Sequence, residues 1–189
     1  MESKKIQLNT QHSVALRTHY EMQLQEAKEF ESISNAVVNT IETNQPRCAE
    51  LIRNGNKELL QMYITAEIAT FASVLPASRS VTPEAVIQIG KMFSEHPDVR
   101  HLSLSELKTF LSLAFKRQAF GKLYGGFGYD TLLEWFGLFF AQRIDEVINH
   151  RVQTHNQRVQ NEKHTRNRQE GDAFGANHIN TIVKNNNTK

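Results

Sequence analysis

The stretch of this sequence best suited to chemistry is glycine-rich: AFGKLYGGFGYDTLLEWF, residues 119–136. Four glycines fall within eight positions, and an aromatic, apolar segment follows directly. Glycine-rich loops that open a helix bind phosphates through their backbone amides. The first question is therefore whether the glycine corner, residues 119–128, is a nucleotide site.

Neither common phosphate-binding pattern is completed by these residues. A Walker loop needs Gly-Lys followed by Ser or Thr, but Leu123 follows the Gly-Lys pair here. A dinucleotide-binding loop needs a third glycine after Gly126-x-Gly128, and none is in place. Both loops also follow a buried strand, whereas the residues before the corner have helical periodicity. The sequence argues against nucleotide chemistry.

Two interpretations of the glycine corner remain open. In the first, the glycines permit positive φ where two apolar helices reverse direction, and the aromatic residues between them pack on the core. In the second, the corner is also a basic and aromatic surface that contacts phosphates or an acidic partner. The residues of that predicted surface are Lys116, Arg117, Lys122, Tyr124 and Tyr129.

Other residue types that carry chemistry form no recognisable constellation. The eight histidines lack the three or four convergent ligands of a zinc site, and His150 and His155 diverge on a helix. Cys48 has no partner and is expected to be a small buried apolar residue. We therefore predict no catalytic residue, no metal and no cofactor, in a protein that is not an enzyme.

Composition is typical of a globular protein from a reducing compartment. The chain has 189 residues, and its 22 Lys and Arg against 20 Asp and Glu give a net charge of +2. One cysteine excludes an intramolecular disulfide framework. The N-terminus lacks the apolar segment of a secretory signal, and no apolar run reaches the roughly 20 residues of a membrane span. A cytoplasmic protein without membrane contact is expected.

Apolar residues recur at helical spacing through most of the chain, and no alternating run predicts a strand. The sequence predicts an all-α domain of about six helices over residues 12–150. The first is a long amphipathic helix at 12–42, and the most apolar, which ends before Pro76, is predicted to be central. The predicted segments are an N-terminal helical segment at 1–81, a helical core with the glycine corner at 82–150 and a basic polar tail at 151–189.

Capping residues mark several of the predicted helix starts. Thr82 precedes Pro83, the favoured order of N-cap and first helical residue. Ser103 and Glu106 have the spacing of a capping box. Asp130 is predicted to cap the helix after the glycine corner.

Beyond Ile148 the sequence has few side chains to bury. Residues 147–189 hold seven Lys and Arg against three acids. We expect the last helix to extend as a solvated arm and then to become disordered, because so little burial cannot offset the entropy of ordering. The residues expected to contact phosphates are Arg151, Arg158, Arg166 and Arg168, and the expected partner anchors are Phe174, Ile179 and Ile182. A tail that only solubilises the protein is the alternative.

Residues 82–145 contain a pattern that resembles small, uncharacterised helical proteins of phages and mobile elements of gut bacteria. Its parts are a Glu-Leu pair in a helix, a basic segment, Gly-Lys-x-Tyr-Gly, and an Asp-capped helix ending in aromatic-x-x-Arg. Here they are Glu106-Leu107, Lys116-Arg117, Gly121-Lys122-Leu123-Tyr124-Gly125, Asp130 and Phe140-Ala141-Gln142-Arg143. The resemblance implies no established activity. More remotely, the layout is similar to phage replicative-helicase loaders, in which a helical domain carries a charged tail that engages the helicase.

These observations favour a non-enzymatic accessory protein of a phage or mobile element that acts in DNA replication or a related nucleic-acid complex. Its domain would dock a protein partner, with a replicative helicase as the candidate, and its basic tail would engage DNA or that partner. Two alternatives remain open: a small inhibitor of a host enzyme or defence system, and a virion or scaffold protein that self-assembles through its long N-terminal helix.

Overall fold

The computed structural model describes residues 18–19, 21–76, 80–123 and 125–186, with side chains described as far as residue 163. These residues form helices and no strand, which confirms the all-α class. The helices are α1 at 21–26, α2 Ile33–Thr43, α3 Cys48–Arg53, α4 Lys57–Ser73, α5 Pro83–Glu95, a 3₁₀ turn Pro97–His101, α6 Leu104–Phe115 and α7 Tyr129–Asn186. Within the described part of the chain, none of them has the length and apolar character needed to cross a bilayer.

Contacts between residues divide the chain into two units, with the boundary between Glu146 and Val147 inside α7. The first unit contains α1 to α6 and the beginning of α7. The remainder of α7 makes up the described part of the second unit, here called the arm. Helices from both predicted segments, 1–81 and 82–150, therefore pack within the first unit, as α4 does against α5 and α2 against α6.

Two of the predicted helix starts are confirmed by their hydrogen bonds. The hydroxyl of Ser103 accepts a bond from the Glu106 amide at 3.1 Å, and the Glu106 carboxylate accepts one from the Ser103 amide at 2.7 Å. Thr82 caps α5, whose first residue is Pro83. Asp130 does not cap α7, because α7 already begins at residue 129. Its carboxylate lies in the first turn, where its negative charge interacts favourably with the positive end of the helix dipole.

The long helix predicted over residues 12–42 is wrong in its middle. α1 ends at residue 26, residues 27–32 are not helical, and α2 begins after Ser32, whose hydroxyl accepts a bond from the Asn35 amide at 3.2 Å. The apolar spacing runs on across this gap, but hydrogen bonds to α6 hold the backbone of residues 27–31 out of the helix. Residues 12–17 and residue 20 of the predicted helix lie outside the described residues.

The most enclosed helix is α6, and the prediction that the helix before Pro76 is central is wrong. Every residue of α6 except Lys108 is buried, including Ser105, Thr109 and Ser112. α4 buries one face only and leaves Met62 61% exposed. Apolar content did not identify the central helix, because some buried residues of α6 are polar. Their hydroxyl groups form hydrogen bonds with neighbouring segments.

A buried ion pair joins α6 to α7. The Arg143 guanidinium donates from Nε to Glu106 Oε1 at 2.8 Å and from Nη2 to Glu106 Oε2 at 3.4 Å. The two side chains are 10% and 1% exposed. A carboxylate so enclosed is tolerated only when its charge is neutralised and its oxygens accept hydrogen bonds. Arg143 and the capping-box amide meet both conditions.

The turn that leads into α6 receives bonds from three further segments. Arg143 and Arg47 both donate to the carbonyl of His101, at 3.2 and 3.0 Å. The Cys48 amide, at the start of α3, donates to the Leu102 carbonyl at 2.8 Å. In α2 the hydroxyl of Thr40 is hydrogen-bonded to that of Ser103 at 2.7 Å. One polar cluster therefore positions α2, α3, α6 and α7.

Replacing Arg143 with Met should lower the free energy of unfolding by about 3–5 kcal/mol, because the Glu106 charge stays buried without its partner. The double variant Glu106→Gln/Arg143→Met should recover part of that loss. Urea denaturation followed by circular dichroism measures both variants.

The matched control is Lys57→Met. Lys57 pairs with Glu95 at 2.8 Å on the surface, where an ion pair contributes little. We expect its denaturation midpoint to stay close to that of the wild type. Equal losses for Arg143→Met and Lys57→Met would contradict the structural role of the buried pair.

Close packing of α4 on α5 depends on Gly90. A Cβ atom at this position would lie 2.1 Å from Thr65 Oγ1 and 3.0 Å from Thr65 Cα. Both distances are below van der Waals contact, and the second atom belongs to the backbone and cannot rotate away. The two helices approach this closely because position 90 has no side chain.

Gly90→Ala should therefore destabilise the protein by roughly 1–3 kcal/mol, as overpacking does elsewhere. Gly137→Ala is the comparison, because Gly137 is exposed in α7 and a methyl group there would meet no other atom within 4 Å. At that position alanine should stabilise the helix by roughly 0.5–1 kcal/mol. Thermal unfolding of both variants tests this, and a stabilising Gly90→Ala would refute the close approach.

Candidate nucleic-acid interface

The glycine corner is a packed reversal between α6 and α7. Gly121 has a φ of 123°, a conformation that favours glycine. Leu123 and Phe127 are buried, and the Phe127 ring lies 5.1 Å from that of Phe71 and 6.1 Å from that of Trp135. The segment before the corner is helix α6, so the strand of a phosphate loop is not there. These contacts support the interpretation of the corner as a helix reversal.

The predicted basic and aromatic surface is only partly assembled at this corner. Lys122 is exposed at the edge of a cleft of about 360 Å³ and forms no ion pair among the described side chains. Tyr129 is half-buried, and burial together with the Asp130 carboxylate raises the pKa of its hydroxyl. Tyr124 lies outside the described residues.

Lys116 and Arg117, the other two cations of the predicted surface, are paired with acids. Lys116 Nζ lies 2.8 Å from Glu29 Oε2. An Arg117 terminal nitrogen lies 3.9 Å from Glu31 Oε1, and the guanidinium also donates to the Glu31 carbonyl at 3.4 Å. Their acids both come from residues 27–31, here called the strap.

The strap runs along one face of α6, where hydroxyl groups accept its backbone bonds. The Lys28 amide donates to Ser105 Oγ and the Phe30 amide to Thr109 Oγ1, both at 3.1 Å. One turn further along α6, Ser112 Oγ donates to the Glu29 carboxylate. Lys108 Nζ donates to the carbonyl of residue 27 at 2.9 Å. The strap is thus bound to α6 as an extended peptide.

Polar contacts hold the strap more than burial does. Between Leu24 and Ile33, both buried, no residue of the segment 27–32 is fully buried. Each hydrogen bond adds about 1 kcal/mol and each surface ion pair roughly 0–1 kcal/mol. The strap therefore opens at a lower cost than the core unfolds.

The charge of Glu29 is stabilised by its α6 partners. Hydrogen bonds from Lys116 and Ser112, together with the charges of Lys116 and Arg117, hold the pKa of this carboxyl below its usual 4.5. A lowered pKa in the folded state stabilises the ionised form. The contribution is present above about pH 4.5 and is lost as the pH falls through the folded pKa.

We expect NMR titration to place the Glu29 pKa below 4.5 in the wild type and closer to 4.5 in Lys116→Gln. Amide exchange at Lys28 and Phe30 should speed up as the pH falls through the folded pKa, after correction for intrinsic exchange. Lys108→Gln is the control, because Lys108 contacts a strap carbonyl and not the Glu29 carboxylate. A Glu29 pKa that does not respond to Lys116→Gln would contradict the pairing.

The cations described in the arm, unlike Lys116 and Arg117, have no ion-pair partner among the described side chains. From residue 147 to 163, every side chain of α7 is exposed or half-buried. Arg151 and Arg158 are exposed and form no ion pair among the described side chains. Seven residues is nearly two helical turns, so both lie on the same face, about 10 Å apart along the axis. The side chains of Arg166, Arg168, Phe174, Ile179 and Ile182 lie outside the described ones, although α7 includes these positions.

The other candidate reactive groups show no sign of activation. Burial raises the pKa of the Cys48 thiol to about 12, and the Glu106 charge adds to the shift. A thiol with that pKa is protonated at neutral pH and is a poor nucleophile. Among the described residues, no cluster of three or more His, Cys, Asp or Glu side chains is placed to hold a metal.

Sequence reasoning missed the strap and the ion pair. A signal for the strap was present: Ser105, Thr109, Ser112 and Lys116 form a polar stripe at helical spacing in an otherwise apolar helix. Such a stripe is compatible with a solvated face as well as with a polar segment packed on that face. For the ion pair, Glu106 and Arg143 were noted as separate parts of a sequence pattern, and nothing in their spacing indicated the contact.

Comparison with known proteins gave no match, since no family model, curated protein or solved structure matches this chain.

Proposed function

We propose that the protein is a non-enzymatic adaptor of a phage or mobile element, acting in DNA replication or a related complex. Its helical domain docks a protein partner, for which a replicative helicase is the candidate, and its basic arm binds the phosphate backbone of nucleic acid. The observation that carries the proposal is the state of the arm cations. Arg151 and Arg158 are exposed on one helix face and lack acid partners among the described side chains.

The cations at the glycine corner differ from those of the arm, and the difference favours the arm as the site that binds phosphate. Lys116 and Arg117 already have carboxylate partners, so a phosphate would have to displace these first. Arg151 and Arg158 need to lose only water and counterions. Binding of this kind is driven by counterion release and depends steeply on salt.

The helix of the arm is expected to become more stable when nucleic acid binds. No side chain described between residues 147 and 163 is fully buried, so burial contributes little to the stability of this part of the helix. Unpacked helices in water are marginal. Phosphates that neutralise its arginines would strengthen it, and we expect helical circular dichroism to increase when DNA is added.

The test is binding of a short fluorescent duplex, followed by anisotropy over a salt series. Arg151→Gln/Arg158→Gln should weaken binding and lower the slope of log K against log salt by about 0.9 for each phosphate that the variant no longer neutralises. Arg53→Gln/Lys91→Gln is the matched control, because it removes two exposed cations from the domain. We expect it to have a much smaller effect.

Four outcomes would count against this function. The first two are a wild type without salt-dependent binding, and equal weakening of binding by the two double variants. Tight, salt-independent capture of one host protein without DNA binding would instead favour the inhibitor. Concentration-dependent assembly in light scattering without DNA binding would favour the scaffold, although the continuous helix that this alternative used is interrupted at residues 27–32.

A further inference from the structure

Residues 27–31 place two carboxylates on the cations at the end of α6. Glu29 receives Lys116 Nζ at 2.8 Å and a hydrogen bond from the Ser112 hydroxyl. Glu31 lies 3.9 Å from the Arg117 guanidinium. One ammonium, one guanidinium and one hydroxyl therefore converge on carboxylate oxygens supplied by the chain itself.

The same three donors suit a phosphate. Lys and Arg form their strongest hydrogen bonds with carboxylates and phosphates, and serine hydroxyls donate to either. A phosphodiester group shares one negative charge between two non-bridging oxygens that both accept hydrogen bonds, whereas the strap uses two carboxylate side chains to reach the same cations. The strap carboxylates thus occupy positions that a nucleic-acid phosphate would take.

The attachment of the strap allows such an exchange. Its backbone is bound through four hydrogen bonds. Two run from the amides of Lys28 and Phe30 to hydroxyls of α6, and two run from the side chains of Lys108 and Arg117 to the carbonyls of residues 27 and 31. None of its five residues is fully buried. Segments with exposed hydrogen bonds and little apolar burial open locally while the core stays folded.

We propose that the strap is an internal acidic competitor that closes an anion site formed by Ser112, Lys116 and Arg117, and that a nucleic-acid phosphate takes this site when the strap opens. The inference rests on the proposed function in one respect, that the anion is nucleic acid. It adds a second binding site, on the domain, which is closed while the strap is in place.

The test uses the full chain with the arm brought to zero net charge by Arg151→Gln/Arg158→Gln/Arg166→Gln/Arg168→Gln, so that the domain site is measured alone. Adding Glu29→Gln/Glu31→Gln should tighten binding of the labelled duplex roughly three- to tenfold, the range expected for two surface ion pairs. Adding Lys116→Gln/Arg117→Gln to that variant should abolish the gain.

The matched control is Glu26→Gln/Glu42→Gln, which makes the same change in net charge at exposed acids outside the strap. A gain larger than that of the control, and dependent on Lys116 and Arg117, supports the competitor. A gain equal to the control, a gain that survives loss of both cations, or no detectable binding overturns it. Because the arm is neutralised throughout, these results are independent of whether the arm itself binds DNA.

Discussion

A carboxylate in a protein core is strongly unfavourable unless its charge is neutralised and its oxygens accept hydrogen bonds. Glu106 is 1% exposed, and it meets these conditions only because α7 brings Arg143 to it. The Ser103 amide supplies the remaining bond, and the same arginine reaches the carbonyl of His101. A different placement of α7 would leave a buried charge unpaired. The pair therefore restricts where α7 can pack, and through α7 it fixes where the aromatic rings around Phe136 enter the core.

The sequence predicts a helix end well where the hydrogen bonds that determine it join residues close in sequence, and poorly where they join residues far apart. Helix starts at Thr82 and Ser103 were predictable because the capping residue and the amide that it binds are three positions apart. The break at residues 27–32 was not, because its hydrogen bonds go to residues about 80 positions away. Local periodicity favoured a continuous helix, and tertiary bonds to the hydroxyls of α6 overrode it. The central position of α6 was not predicted either, because it also depends on contacts with residues distant in sequence.

For the candidate site, too, the sequence predicts some features and leaves others to the structure. The sequence shows how many cations lie near the glycine corner, but not which of them already have partners. Lys116 and Glu29 are separated by 87 positions, so their pairing depends on the path of the strap. In the arm, Arg151 and Arg158 are exposed and form no ion pair among the described side chains, although Glu162 follows Arg158 by four positions. Phosphate binding by the arm stays a prediction, whereas the corner is a structural reversal with two of its cations paired with acids.

Charge is distributed unevenly along the chain, and this bears on how two binding surfaces would share one polyanion. Seven of the 22 Lys and Arg and three of the 20 acids follow residue 146, so residues 147–189 carry +4 and residues 1–146 carry −2. A phosphate backbone is attracted to the first of these segments and weakly repelled by the second. Encounter at the arm would raise the local phosphate concentration without any domain contact. Glu29 and Glu31 contribute to the negative charge of the domain and also pair with two of its cations, so under the proposal the strap would weaken binding of a polyanion to the domain both through the field and by occupying the cations. Under the proposed function, a domain that is acidic overall would stay available for a protein partner while the arm bound nucleic acid.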